Sequence, residues 1–472
     1  MKKSEAESID ARSEGGPTRS SDDGAVMAAE RRGRVVPAEA HVNSRVMRED
    51  ERATEAKPFC ISKALLWEAW QRVKANRGAA GIDGQTIGGF EADLSKNLYR
   101  IWNRMSSGSY FPPAVKAVPI PKKSGGERVL GVPTVGDRIA QTAVTLWLEP
   151  ELERVFYDDS YGYRPGRSAH DALAVTRKRC WERDWVLEYD IRALFDRIDH
   201  GLLLKALRRH CDERWVLLLV ERWLTAPMRS RDGSEHPRTL GTPQGGPLSP
   251  VLANLFLHYA LDRWLATNHP SVPFCRYADD GILHCRSEAE AKAMREHLDA
   301  RLREVGLELH PEKTRVVYCK DRDRTSTAGN IAFDFLGYTF RPRVARNRWG
   351  RLFTTFTPPM SRESACAIRQ TVRRWRLHLK SETSLATLAR RMLPIVRGWI
   401  GYYCRFRASS FQSIARHLDR VLVRWAMRKY KRLRARPGRA FAWLESVKAK
   451  RPGLFVHWTG RGAFAVGAMG AR

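Results

Sequence analysis

Residues 274–285 have the sequence F-C-R-Y-A-D-D-G-I-L-H-C, in which two short apolar runs flank a pair of adjacent aspartates. This pattern predicts two short strands joined by a tight turn, with Asp279 and Asp280 at the tip. A third aspartate, Asp190, closes the extended run W-V-L-E-Y-D-I at 185–191. Strands of this kind alternate with helical patterns along the chain, which indicates an α/β or α+β core.

Three carboxylates placed in this way suit divalent cations. Magnesium prefers oxygen ligands and shares them with substrate phosphates. Two such ions, ~3.5–4 Å apart, stabilise both the attacking and the leaving oxygen of an in-line phosphoryl transfer. We therefore predict that Asp190, Asp279 and Asp280 hold two Mg²⁺ ions. Taken alone, the Asp279–Asp280 pair also fits an ordinary turn, because aspartate favours turns for its own hydrogen bonding.

The charge is strongly basic and unevenly distributed. The 472 residues include 83 Lys+Arg and 52 Asp+Glu, a formal charge of +31, and residues 361–472 carry 26 basic and 4 acidic residues of these. Aromatic side chains such as Trp375, Trp399 and Tyr402 are interleaved with the arginines there. This mixture predicts a surface for nucleic acid, with arginines on phosphates. A helical core with a solvated basic face is the alternative, and both can hold if Trp375 packs inward.

The beginning of the chain has a different composition. Residues 1–57 contain no Phe, Trp or Tyr, and their basic and acidic residues nearly cancel. We expect a disordered leader. Neither a secretory signal nor a run of ~18 apolar residues is present in the sequence, so we expect no membrane association and a cytoplasmic location.

The order of the motifs resembles that of the group II intron-encoded reverse transcriptase and maturase family, nearly continuously from about residue 62 to 455. The resemblance is carried by these segments: N-R-G-A-A-G-I-D-G (76–84), P-K-K-S-G-G-E-R-V-L-G-V-P-T-V-G-D-R-I-A-Q (121–141), S-Y-G-Y-R-P-G-R-S (160–168), Y-D-I-R-A-L-F-D-R-I-D-H (189–200), G-T-P-Q-G-G-P-L-S-P-V-L-A-N (241–254), R-Y-A-D-D (276–280), G-L-E-L-H-P-E-K-T (306–314), F-L-G-Y (335–338) and R-G-W-I-G-Y-Y (397–403).

The resemblance implies roles for individual residues. Asp190, Asp279 and Asp280 would be the catalytic, metal-binding carboxylates, and Lys313 a candidate proton donor to the leaving pyrophosphate. Phe195 would exclude a ribose 2′-OH, with plain core packing as the alternative. The residues expected at the substrate are Lys122, Arg128, Phe195, Gln244, Gly245 and Tyr277. Which of Lys122, Lys123 and Arg128 meets the triphosphate stays open. The residues expected to bind RNA are Arg373, Arg374, Arg376, Arg397 and Tyr403.

The implied fold is α+β, a right-hand polymerase whose fingers and palm, with an antiparallel sheet, precede an all-α thumb. The expected divisions are a leader (1–57), an N-terminal extension with fingers (58–175), a palm (176–345, with part of the fingers at 200–255), a helical thumb and maturase domain (361–440) and a short basic C-terminal segment (441–472).

The implied function is RNA-directed DNA synthesis that copies intron RNA during retrohoming, combined with maturase assistance to splicing. The expected partners are group II intron RNA, an RNA template with a DNA primer, dNTPs and a DNA target site. Many relatives carry a His-Asn-His endonuclease, but only His457 lies beyond residue 430 and no cysteine follows Cys404, so we expect no endonuclease here. The alternatives are a splicing-only RNA-binding maturase and an intron-independent reverse transcriptase used in defence or repair.

Overall fold

The computed structural model describes residues 57–121, 126–327, 329–346 and 349–459. The predicted leader, apart from Lys57, lies outside these residues, as do Lys122, Lys123 and residues 460–472. Among the described residues, no helix combines the length and the apolar character needed to cross a bilayer.

The first part of the chain contains a helical layer and a small sheet. Ser62 caps the first helix by accepting a hydrogen bond from the Ala64 amide, as a serine before a helix commonly does. The sheet has the order β2-β1-β4-β5, with β1 antiparallel to β2 and parallel to β4. Its elements are α1 (Lys63–Asn76), α2 (Ile87–Glu91), α3 (Leu94–Ser106), β1 (Val115–Pro121), β2 (Glu127–Val132), α4 (Val135–Glu153), β4 (Met228–Arg229) and β5 (Glu235–His236).

The second sheet is antiparallel and has the order β6-β7-β3-β8. One face packs against helices in a core continuous with the first helical layer, and the other face packs in a second core that includes residues of the third sheet. The elements of this part are α5 (Ala169–Glu182), β3 (Trp185–Asp190), α6 (Leu194–Arg197), α7 (His200–Arg208), α8 (Arg214–Thr225), α9 (Ser249–Leu257), a π-helical turn (His258–Asp262), α10 (Arg263–Asn268), β6 (Phe274–Tyr277), β7 (Asp280–Cys285), α11 (Glu288–Glu304) and β8 (Arg315–Tyr318).

A third sheet of order β11-β10-β9 joins the second sheet to the C-terminal helices. Its strands are β9 (Phe333–Phe335), β10 (Tyr338–Arg346) and β11 (Leu352–Thr357). The stacked rings of Phe333 and Phe340, 4.7 Å apart, fill its buried face beside Phe356. The turn between β9 and β10 consists of Leu336 and Gly337, both with positive φ.

The C-terminal part is helical, as expected, with a core of its own. Its helices are α12 (Arg362–Arg374), α13 (Leu385–Tyr403), α14 (Gln412–Lys429) and α15 (Pro437–Lys450), with short 3₁₀ turns at Leu377–Leu379, Ala408–Phe411, Lys431–Leu433 and Val456–Trp458. The sequence prediction of an α+β fold with an antiparallel sheet, followed by an all-helical region, is thus confirmed.

Candidate active site

The three predicted aspartates meet at one end of the second sheet. In the antiparallel pair β3–β7, Asp190 lies directly opposite Asp280, and in β6–β7 Asp280 pairs with Tyr277. Directly opposed residues in antiparallel strands have Cβ atoms only ~4.5–5.5 Å apart. The ladder therefore brings together carboxylates that are about ninety positions apart in the sequence.

The turn that carries Asp279 has a demanding backbone. Ala278 has φ +57° and is buried. Gly281 is the second residue of β7, and a Cβ there would lie 2.1 Å from the ring of Tyr189. Glycine is needed here because the Tyr189 ring fills the space that a side chain would take. Packing against neighbouring residues, as well as the chemistry of the two aspartates, thus accounts for the sequence Ala-Asp-Asp-Gly.

A buried ion pair stabilises this turn. The Arg276 guanidinium and the Asp262 carboxylate are both fully buried and lie 2.5 Å apart. Arg276 also donates to the Ala278 carbonyl, to Asn254 Oδ1 and to Ser160 Oγ. Because each buried donor has an acceptor, the charge is compensated and the turn is fixed in place.

The carboxylates influence one another electrostatically. Partial loss of hydration, together with the negative charges of Asp279 and Asp190, raises the pKa of Asp280 to about 7. Burial and the charge of Asp190 also raise the pKa of Asp279. Carboxylates repel in this way when they lie close together without a counterion. A cation between them would relieve the repulsion.

Lys313 is the cation that the structure places beside them. Its Nζ donates a hydrogen bond to Asp190 Oδ2. Burial lowers the pKa of Lys313, but the bond to Asp190 and the other carboxylates outweigh that effect and raise it. The predicted proton donor therefore lies within the cluster, with its ammonium group on one of the predicted metal ligands.

The donor set fits a hard divalent cation in its chemistry, because Asp190, Asp279 and Asp280 offer carboxylate oxygens at the same end of the second sheet. In the described part of the chain, no three His, Cys, Asp or Glu side chains are already gathered in ligating geometry. Lys313 is bonded to Asp190, one of the three carboxylates that a cation would use.

The loop at 241–250 joins the first sheet to this site. The Gly131 amide on β2 donates to the Gln244 carbonyl at 2.8 Å. A Cβ on Gly245, which has φ +130°, would lie 2.5 Å from the Gly131 carbonyl oxygen. The Gln244 side-chain amide faces the Asp196 carboxylate at 3.4 Å. The loop backbone is thus fixed against the β1–β2 hairpin.

Two further predicted substrate residues lie around this loop. Phe195 is partly buried against the main core, and its carbonyl accepts a 2.7 Å hydrogen bond from the Thr242 amide. Arg128 is exposed on β2 and pairs with Ile120 across the hairpin. Asp199, in contrast, caps α7 by accepting a hydrogen bond from the Leu202 amide.

The predicted RNA-binding residues of the C-terminal part differ in their exposure to solvent. Arg373, Arg374, Arg376 and Arg397 are exposed. Trp375 stacks on Trp399 at 5.6 Å, so the aromatic ring packs inward between outward-facing arginines, as expected. Tyr403 is half-buried and its ring contacts Tyr338 of β10. This position joins the helices to the third sheet, and its role in RNA binding stays a prediction.

The sequence prediction overlooked a row of arginines on α14. Four exposed arginines recur at intervals of four residues, so they line one face of the helix. Among the described residues, none of them pairs with a carboxylate. These arginines are Arg416, Arg420, Arg424 and Arg428, and we call them the α14 arginine row.

The surroundings of the α14 arginine row leave its positive charge without a nearby neutralising group among the described residues. The one acid on α14, Asp419, is held on another side by His457 Nε2 at 3.0 Å and Trp458 Nε1 at 2.7 Å. Burial and the charges of arginines on both α12 and α14 lower the pKa of His417. The i, i+4 spacing of the row can be read from the sequence. The hydrogen bonds from His457 and Trp458 that engage Asp419 cannot.

Comparison with protein families identifies two regions of the chain. Residues 120–340 match the model for reverse transcriptase (RNA-dependent DNA polymerase), and residues 366–441 match the group II intron, maturase-specific domain. The first region contains the three aspartates, and the second contains most of the basic helical part.

Individual relatives agree with this division. Protein YkfC of Escherichia coli is 31% identical over 68% of this chain and 91% of its own length. Group II intron-encoded protein LtrA of Lactococcus lactis is 35% identical over 46% of this chain, a match that spans 36% of LtrA. Nuclear intron maturase 2, mitochondrial, of Arabidopsis thaliana is 27% identical over 33% of this chain and 26% of its own length.

Proposed function

The chain belongs to the group II intron reverse transcriptase and maturase family, and on this basis we propose that it copies intron RNA into DNA at the Asp190–Asp279–Asp280 site. The observation that carries the proposal is the ladder pairing of Asp190 with Asp280 beside the Asp279 turn. The expected substrates are dNTPs and a DNA primer on an RNA template.

The reaction is a phosphoryl transfer in which the primer 3′-hydroxyl attacks the α-phosphorus of a dNTP and pyrophosphate leaves. Asp190, Asp279 and Asp280 would hold Mg²⁺, which when bound supplies Lewis-acid stabilisation of the attacking and leaving oxygens. Catalysis of this kind depends mainly on positioning and electrostatics, so few groups need to react covalently.

Other residues would bind and orient the substrates. Arg128 provides a guanidinium for the triphosphate. The Gln244–Gly245 loop, fixed on Gly131, offers backbone that a nucleotide can approach closely. Lys313, whose pKa is raised, carries a proton that it can give to the pyrophosphate. Phe195 would provide a bulky wall against a ribose 2′-hydroxyl.

The maturase role would belong to the helical part. The α14 arginine row presents positive charge without carboxylate partners among the described residues, and the exposed arginines of α12 add to that charge. Like charges at i, i+4 destabilise a helix by ~0.2–0.5 kcal/mol per pair, so a polyanion that neutralises them would be stabilising. Intron RNA, recognised through its phosphates and shape, fits this surface.

The direct test is dNTP incorporation on an RNA template with a DNA primer, in Mg²⁺ and in EDTA. We expect Mg²⁺-dependent extension by the wild-type chain and a loss of roughly 10³-fold or more in Asp279→Asn/Asp280→Asn, because charged ligands are removed while size is kept. Asp212→Asn, at an exposed aspartate before α8, is the control and should extend normally. Normal extension by the double variant would refute the proposal.

A further inference from the structure

Tyr163 is more exposed to solvent than the residues on either side of it. Residues 160–164 are otherwise buried, but the Tyr163 side chain is 43% exposed. A large aromatic ring that projects from a buried segment leaves apolar surface in contact with water. The core packing of this segment therefore does not account for the ring.

The backbone of Tyr163 is also unusual. Its φ is +58°, in the left-handed region, which costs a residue with a side chain ~1–2 kcal/mol. Such a conformation persists only where the surroundings enforce it, and it is concentrated at functional sites.

The neighbours of Tyr163 enforce this conformation. Arg164 Nη1 donates to the carbonyls of Tyr157 and Ser160 at 2.6 and 2.7 Å, and its guanidinium also pairs with Glu153. The Gly162 carbonyl accepts a 2.7 Å hydrogen bond from Asn254 Nδ2. Each flanking residue is thus fixed independently, and Tyr163 is held between them.

Residues 160–164 lie directly against the turn that carries Asp279. A Cβ on Gly162 would be 2.4 Å from the Ala278 amide nitrogen, so the two backbones touch just before Asp279. Burial and the nearby charges of Asp279 and Asp280 raise the pKa of Tyr163, while that of Arg128 opposes them. The backbone contact places the Tyr163 segment beside the aspartate turn, and the charge of Arg128 acts on the same phenol group.

We propose that Tyr163 is a positioning residue whose ring packs against the sugar of the incoming nucleotide, between Arg128 and the aspartates. This inference rests on the proposed polymerase function. A nucleotide with its triphosphate near Arg128 and its α-phosphate near the aspartates would have its sugar next to them, where an exposed ring offers a flat apolar surface. The left-handed backbone fixes the direction of that ring before the substrate arrives.

The test compares Tyr163→Ala, Tyr163→Phe and the control Tyr99→Ala, whose ring is exposed on α3 away from this turn. Single-nucleotide incorporation gives KM for dNTP and kcat, and thermal unfolding gives Tm. We expect Tyr163→Ala to raise KM roughly tenfold with a smaller change in kcat. Its Tm should be close to that of the wild type, because alanine adds no backbone strain beyond that of tyrosine. Tyr163→Phe, which keeps the ring, should restore KM.

A binding measurement separates this inference from the polymerase proposal. On a primer ended with a dideoxynucleotide, the next complementary dNTP should stabilise the complex, and Tyr163→Ala should need roughly tenfold more dNTP. Wild-type kinetics and binding in Tyr163→Ala would overturn the inference, and so would a loss that parallels a fall in Tm or that Tyr163→Phe fails to restore. If the wild-type chain binds dNTP but extends no primer, only the proposed function fails.

Discussion

The turn that carries Asp279 and Asp280, which we call the palm turn, and the α14 arginine row both concentrate charge. They do so in opposite ways. Next to the turn, Arg276 and Asp262 are fully buried and form an ion pair with each other. Along the row, the arginines are exposed and, within the described residues, have no carboxylate partner. Buried, paired charges act as a unit, whereas exposed charges contribute additively and are screened by salt. The two regions should therefore respond very differently to substitution.

The largest stability effect should come from the buried pair. Arg276→Met leaves Asp262 buried without a counterion, and we expect the free energy of unfolding to fall by ~3–5 kcal/mol. The measurement is urea unfolding. The matched control is Arg229→Met, in an exposed pair with Glu235, which should cost ~0–1 kcal/mol. Equal losses in the two variants would remove the distinction between the regions.

A second prediction concerns two buried histidines, His284 on β7 and His258 in the π-helical turn. Burial, with the charges of Arg179 and Arg183, lowers the pKa of His284 to about 3, and burial lowers that of His258 to about 4. A lowered pKa means that the folded state prefers the neutral ring. Stability is therefore fully present above pH ~6.5 and is lost as the pH falls from there towards the folded-state pKa.

Between pH 7 and pH 5 we expect each buried histidine to reduce the free energy of unfolding by up to ~2 kcal/mol. The unfolding curves of His284→Leu should show a smaller pH dependence than those of the wild type. His378→Leu, at an exposed histidine of the helical part, should leave the dependence unchanged. An unaltered pH profile in His284→Leu would contradict the assignment.

The α14 arginine row should give graded effects. Arg420→Gln/Arg424→Gln is expected to weaken binding of structured intron RNA by roughly tenfold and to reduce the salt slope by about one unit per lost phosphate contact. Arg154→Gln/Lys178→Gln removes the same charge from exposed positions elsewhere. If that control weakened binding equally, net charge rather than the row would explain the affinity.

The smallest effect that we predict is a change in the Mg²⁺ requirement when Lys313 is substituted. Because its Nζ occupies Asp190 Oδ2, Lys313→Met should lower the Mg²⁺ concentration that gives half-maximal activity by a few fold, on the order of 0.5–1 kcal/mol. If Lys313 also donates the proton, kcat should fall in the same variant. Lys292→Met, in a surface pair with Glu288, is the control. An unchanged Mg²⁺ requirement would show that Lys313 does not compete for the carboxylate.

Local patterns in the sequence predicted much of this fold. The Ser62 cap, the hairpin at 115–132 and the strand ending at Asp190 were all readable, because caps, turns and period-two patterns are local signals. The amphipathic pattern over residues 87–105 does not show that this segment forms two helices, the second of which follows Asp93. The long β10–β11 hairpin was not predicted, because its strands carry arginines and Pro342.

The candidate site was predictable in composition but not in geometry. Residue order brought Asp190, Asp279 and Asp280 together as a hypothesis, but the register that pairs Asp190 with Asp280 depends on contacts across the sheet. The same holds for the Lys313–Asp190 contact and for Tyr402, whose carbonyl is 2.9 Å from His170 Nε2. Contacts between residues more than a hundred positions apart leave no local pattern to read.

One experiment tests most directly whether chemistry and RNA binding reside in separate regions. Asp279→Asn/Asp280→Asn and Arg420→Gln/Arg424→Gln are each measured for dNTP incorporation on a short primer–template and for intron RNA affinity. We expect the palm variant to lose incorporation by roughly 10³-fold while its RNA affinity is unchanged, and the row variant to lose affinity while retaining turnover at saturating template. A palm variant that extends primers normally, or that loses RNA affinity as much as the row variant does, would contradict the account.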